Sequence, residues 1–242
     1  MKSIFLQPYK KESPYSYTTG AFATFELLNA RPGDARAVYI HPDYGSPEKL
    51  EALCREKNIP VFYGEKYFSR LKQKGNSYVC GVFEKNAQPL SGNAPHLLLI
   101  NPADCGNIGT IIRTAAGLGM DDVGVVLPAG DVFHPKTVRA SMGAVFRIRI
   151  NTFASFEEYR REYASHFCYP FMTLDAASDI HTISGGIKKP YTLIFGSEAE
   201  GLDISFAGIG VPVRIPQSSK VDSLNIAVAV GIGLYAAAPP RG

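Results

Sequence analysis

The 242-residue chain has no apolar run approaching the roughly 18 to 20 residues that span a bilayer, and its opening, Met1-Lys2-Ser3-Ile4-Phe5-Leu6-Gln7-Pro8, is too polar for a secretory leader. No membrane association and a cytoplasmic location are therefore expected. Cysteine is scarce. Cys54, Cys80, Cys105 and Cys168 stand far apart, with no C-x-x-C and no neighbouring histidine pair, so no metal site is expected and the thiols read as reduced. Cys105 lies in a glycine-bearing loop ahead of a helix, where a thiolate is favoured, but no motif supplies it with a histidine base. Net charge is only +3, too little to announce a nucleic-acid binder by itself.

Three common fingerprints are also missing. The glycines at 106 and 109 lack the third glycine of G-x-G-x-x-G, and no Lys-Ser/Thr follows them as in a P-loop, which disfavours a dinucleotide-dependent oxidoreductase and an NTPase. Without a G-x-S-x-G elbow, a Ser-His-Asp hydrolase is unsupported.

What the chain does carry is an uneven charge and an alternating pattern. Residues 1–90 hold 13 Lys+Arg against 9 Asp+Glu. Within them Arg70, Lys72 and Lys74 fall beside Tyr67, Phe68 and Tyr78, a mixture that suits phosphates and stacked bases or, equally, a solvated helix end with aromatics turned inward. The Pro-, Gly- and Asn-containing stretch 86–95 breaks every periodicity, so a linker is placed at 89–95 between domains at 1–88 and 96–242. Upstream, strands are expected at 37–40, 60–62 and 77–83, with a helix over 47–57 capped by Ser46. Downstream, His96-Leu97-Leu98-Leu99-Ile100 reads as a strand buried on both faces. Further strands are expected at 123–127, 146–150, 171–174, 191–195 and 211–215, with helices at 107–118, 155–163 and 225–238. This alternation predicts an α/β fold with a doubly wound sheet covered by helices.

Ligands of such sheets bind where strands end, and three strand exits are unusual. In the first, Asn101 to Ala115, Gly106 and Gly109 allow close backbone approach and Arg113 interrupts an otherwise apolar helix, where an arginine implies a site or an acid nearby. In the second, Phe195-Gly196-Ser197-Glu198-Ala199-Glu200-Gly201-Leu202, two carboxylates stand two residues apart, as a metal site, as an acid-base pair or simply as solvated acids of a turn. In the third, Ile215-Pro216 leads through a polar loop to Ser223-Leu224-Asn225, where Ser223 or Asn225 could cap the following helix.

Taken together, the three segments resemble the signature motifs of SpoU/TrmH-type RNA 2′-O-ribose methyltransferases of the SPOUT superfamily. The first is similar to N-x-G-x-x-x-R-T through Asn107, Gly109, Arg113 and Thr114. The second is similar to F-G-x-E-x-x-G-L through Phe195, Gly196, Glu198, Gly201 and Leu202, and the third to I-P followed by S-L-N through Ile215, Pro216, Ser223, Leu224 and Asn225. Residues 20–85 resemble, less specifically, the family's N-terminal domain, a small α/β unit like an RNA-binding ribosomal protein.

The resemblance implies a C-terminal trefoil-knotted α/β (SPOUT) domain, S-adenosylmethionine as cofactor, rRNA or tRNA as partner, and a homodimer. It implies cofactor contacts at Phe195, Gly196, Gly201, Ile215, Pro216 and Leu224. A catalytic set of Asn107, Arg113, Glu198, Ser223 and Asn225 is implied with them. A non-catalytic RNA-binding module of the same fold is the competing expectation.

Overall fold

The computed structural model describes residues 7–70, 78–174, 177–183 and 187–237. They fall into two compact units, one of residues up to Asn86 together with Asp131–Arg147, the other of Ala87–Gly130 together with Ile148–Gly242.

In the first unit, β1 (Tyr15–Tyr17), α1 (Ala21–Ala30), β2 (Ala35–Ile40), α2 (Glu48–Glu56), β3 (Val61–Tyr63), α3 (Lys66–Arg70) and β4 (Val79–Glu84) build a four-stranded sheet of order β1-β4-β2-β3. Only the β2/β3 pair is parallel. β2 and β4 are rich in β-branched and aromatic residues, which suit a pleated, covered surface; Val38 and Val79 are buried, as are Leu27, Leu28, Leu50 and Cys54 of the helices, while Tyr39 and Val82 belong to the cluster on the other face of the sheet. The α2 boundary differs from the expectation: Pro47 occupies the cap position and no side chain caps the helix, so Ser46 is not the cap. Tyr67 and Phe68 pack against the cluster of Tyr17, Tyr39 and Cys80, the inward alternative for that aromatic group. Lys72 and Lys74 lie outside the described residues.

The second unit is built on five parallel strands in the order β7-β6-β5-β10-β8. β5 (His96–Ile100) leads into α4 (Cys105–Leu118) and β6 (Asp122–Val126). α4 starts where the Asp104 carboxylate accepts the Asn107 amide at 2.9 Å and ends at Gly119, whose φ of 80° is the left-handed geometry that glycine adopts freely. After β6 the segment 131–147, with the short helix α5 (Pro135–Ala140), folds within the first unit. There the Ser16 hydroxyl donates to the Phe133 carbonyl at 2.5 Å, Lys85 and Asp131 pair at 3.0 Å, and Phe83 meets Phe146 edge-on at 4.9 Å.

The chain then runs through β7 (Arg149–Phe153), α6 (Phe156–Glu162), β8 (Phe167–Pro170), β9 (Ser178–Asp179), β10 (Tyr191–Phe195), β11 (Val213–Arg214) and α7 (Ile226–Ala237). Two strands are displaced from their expected positions. Residues 144–146 form a 3₁₀ turn and the strand starts at Arg149, while the strand expected at 171–174 ends at Pro170, a residue that an edge strand tolerates. Alternation along β5 sends Leu98 and Ile100 into a cluster with Phe153, Tyr159 and Ile194, and turns Leu97 and Leu99, both fully buried, to the other face. Burying each leucine stabilises the fold by about 1.5 to 3 kcal/mol.

The strand order fixes where a ligand can sit. From β5 the chain steps outward to β6 and β7, crosses to β8 at the opposite edge, and returns to insert β10 between β5 and β8. β5 and β10 therefore flank the switch point, and their exits open side by side, the general position of ligand crevices in such sheets.

Candidate functional site

The exits of β5 and β10 carry the first two unusual segments, and the third lies on the approach to α7, which packs on α4 and β10. Hydrogen bonds tie the three together. Glu198 accepts from the Ala103 amide at 3.0 Å, the Asp104 amide at 3.3 Å and the Asn107 side-chain amide at 3.1 Å. Asn107 in turn accepts from the Asn225 side-chain amide at 3.3 Å. Burial pushes the Glu198 carboxyl up, but the donors from Ala103, Asn107, its own amide and Asp104 outweigh it and hold the pKa below the ordinary carboxylate value. Glu198 is thus an ionised clamp rather than a proton donor. Asn225 also caps α7 by accepting the Ala227 amide at 2.9 Å, so its capping and bridging roles coexist on one side chain.

Beside this clamp is a cavity of about 220 Å³ lined by Phe195, Gly196, Glu198, Gly201, Ile215, Ser223 and Leu224, all singled out from sequence. Its apolar wall is completed by Phe171, Ile226 and Ala229. Phe171 and Phe195 stack at 4.3 Å with their planes 17° apart. Gly233 of α7 makes room for that pair, because a Cβ there would lie 2.7 Å from the Phe195 ring and 2.9 Å from the Phe171 ring. The opposite lip is the turn 197–201, closed by the Gly201 amide donating to the Ser197 carbonyl at 3.0 Å. Gly196 has no space for a side chain, since a Cβ would fall 2.0 Å from the Gly201 carbonyl carbon.

Pro216 lines an adjoining cavity of about 300 Å³ with Arg214, Gln217, Ser218 and Ser219. Arg113, exposed on α4, lines neither cavity and makes no ion pair among the described residues. Sequence reasoning missed Phe171, Thr173 and Gln217 as lining residues. The displaced strand hid the first two, which sit at the exit of β8 instead of inside a strand.

Comparison with known proteins places this geometry. A model of the SpoU rRNA Methylase family matches residues 94–235. The chain is 30% identical to the 23S rRNA (guanosine(2553)-2′-O)-methyltransferase RlmP of Bacillus subtilis, over 84% of this chain and 81% of that protein. It is 32% identical to an uncharacterized tRNA/rRNA methyltransferase of Synechocystis sp. over 58% of its own length, and the match spans about half of that relative, 52%. Among solved structures, an AdoMet-bound rRNA methyltransferase from Sinorhizobium meliloti superposes with a TM-score of 0.80 at 30% identity, covering 93% of this chain and 87% of that one. With more than half of its residues in the family match and its three strand-exit segments joined at one site, the chain belongs to the SpoU rRNA methylase family.

Proposed function

We propose that this protein is an S-adenosylmethionine-dependent methyltransferase acting on a ribose 2′-hydroxyl of structured RNA, rRNA or tRNA. The observation that carries the reading is the Glu198-Asn107-Asn225 clamp, which joins three segments distant in sequence beside one cavity with an apolar wall. The residues fit the cofactor. An apolar slot between Phe195, Ile215 and Leu224 suits a purine, and the cradle at Gly196, which a Cβ would fill, brings backbone groups within reach of a ligand. Gly201 and Pro216 belong to the same set of contacts, on the turn and on the neighbouring loop. S-adenosylmethionine, when bound, supplies a methyl group on a positively charged sulfur.

The remaining chemistry falls to the chain. A 2′-hydroxyl must be oriented and relieved of its proton, and the first task is assigned to Arg113 as the cation of the first motif, although it lines neither cavity. A guanidinium carries only donors and keeps its charge at neutral pH, so it is unsuited to act as a base. Arg113 therefore orients an adjacent phosphate and stabilises developing alkoxide charge, while a phosphate oxygen or water takes the proton. Asn107, Glu198, Ser223 and Asn225 shape the site around it.

The family membership also supports closure of the C-terminal region as a trefoil knot, substrate binding by residues 1–88, a cytoplasmic location and a homodimer. For the dimer, α7 leaves Val228, Ile232 and Tyr235 exposed along one face. Its conversion to charge by Ile232→Glu should give a monomer in light scattering.

The decisive experiment maps 2′-O-methylation across total RNA from cells with and without the protein. A site lost on deletion names the substrate, whereas an unchanged map combined with no S-adenosylmethionine binding by the folded protein favours an RNA-binding module. Within the enzyme, Arg113→Lys and Arg113→Ala both matching wild-type activity would remove Arg113 from the mechanism.

A further inference from the structure

The two glutamates of the segment after β10 are two residues apart and do different things. Glu198 turns into the clamp and is saturated with donors. Glu200 lines the cavity at its exposed rim. Its backbone is held, because its amide donates to the Ser197 hydroxyl at 3.2 Å inside the closed turn. Its carboxylate forms no hydrogen bond or ion pair among the described residues.

No lysine, arginine or histidine is present among the described residues that line this cavity, and its only charged groups are Glu198 and Glu200. Among the residues that line it, a ligand there faces carboxylates alone, with Arg214 lining the adjoining cavity. S-adenosylmethionine carries one more positive charge than S-adenosylhomocysteine, the thioether left when its methyl has gone. We propose that Glu200 is a charge-selecting residue, favouring the sulfonium cofactor over the neutral product so that spent cofactor leaves. The inference rests on the proposed assignment of this cavity to the cofactor.

Because Glu200 sits at the rim, water screens it, and opposite charges several ångströms apart there give a preference of about three- to tenfold rather than the much larger factor of a dry interior. For the same reason the preference should weaken with salt.

The test is equilibrium titration of the full chain with S-adenosylmethionine and with S-adenosylhomocysteine, for the wild type, Glu200→Gln and Glu200→Lys. The expected result is a ratio of the two affinities that moves toward the product about three- to tenfold in Glu200→Gln and further in Glu200→Lys. S-adenosylhomocysteine affinity should change by less than about twofold in Glu200→Gln, and the wild-type ratio should shrink in high salt. Ratios equal to wild type in both variants overturn the role of Glu200 while leaving the cavity assignment intact. Leu224→Arg, which fills the slot, tests the assignment separately: undiminished binding of both ligands by that variant, or no binding by the wild type, overturns the assignment and the inference with it.

Discussion

Replacing Gly196 by alanine isolates the closest backbone approach in the site. The added Cβ would lie 2.0 Å from the Gly201 carbonyl carbon, 2.1 Å from its oxygen and 2.3 Å from the Leu202 nitrogen, where non-bonded carbons need about 3.5 to 4 Å. All three are backbone atoms, so no rotamer change relieves the clash and the chain at 201–202 must retreat by more than an ångström. That movement breaks the hydrogen bond from the Gly201 amide to Ser197, about 1 kcal/mol. It also strains the packing of Leu202 on the core cluster, to which overpacking adds about 1 to 3 kcal/mol. Gly196→Ala should therefore unfold at lower urea, by about 2 to 4 kcal/mol, and lose S-adenosylmethionine binding in titration. Gly201→Ala is the control: it has open space and only a left-handed φ of 70°, so about 1 to 2 kcal/mol is expected. A Gly196→Ala protein within about 0.5 kcal/mol of wild type that binds the cofactor normally would refute the steric argument.

Three further outcomes follow from the electrostatics. Glu198 has a depressed folded pKa, so its stabilisation is present above the ordinary carboxylate pKa and is lost as pH falls through the lower folded value. Glu198→Ala should cost about 1 to 2 kcal/mol at pH 7, since its donors are exposed and water replaces part of the loss, and the gap to wild type in urea titrations should close on acidification. Asp122 is fully buried, held by Arg149 through two contacts of 2.6 Å, and accepts the Ser91 amide at 2.8 Å. Arg149→Ala strands that carboxylate and should cost about 3 kcal/mol or more, with partial recovery when Asp122→Asn is added, as a double-mutant cycle would show. His96, fully buried, has its pKa pulled down to about 4 by burial, the hydrogen bond to the Ser91 carbonyl opposing the shift only in part. The unfolded chain binds the proton more readily, so stability is full above about pH 6.5 and falls progressively toward pH 4, by about 3 kcal/mol for this residue. Urea midpoints at pH 7.5, 6 and 4.5 should follow that slope in the wild type, and His96→Asn should flatten it.

Much of the second unit was legible because its signals are local. β5 and β10 are mostly apolar runs of the kind that suits two-sided burial, each also burying one polar residue, His96 and Thr192, and α4 is bounded by the Asp104 cap at one end and Gly119 at the other. The first unit hid β1 and α1 for an equally local reason. α1 is preceded by Gly20, which caps without a side chain, and its apolar residues show little helical periodicity. β8 was misplaced because aromatics continue across its end, Phe167 to Phe171, so composition does not mark where pairing stops.

The site divides along the same line. Which residues share it could be inferred from spacing, since glycines and polar residues at the exits of buried strands have few other uses. How they share it depends on contacts between Glu198 and residues 91 to 95 positions away, and between Asn107 and Asn225, 118 apart. Those contacts exist only because β10 is inserted beside β5. The acidic pair shows the consequence. As a string, Glu198 and Glu200 are two similar acids in one turn. In the fold, the insertion hands three donors to Glu198 and none to Glu200 among the described residues, so one carboxylate becomes part of the framework and the other is left facing the cavity. Exchanging their roles would require a different neighbour for β10, which is why no local substitution at position 200 should disturb the clamp, and why the charge that ligand selection senses can be changed there alone.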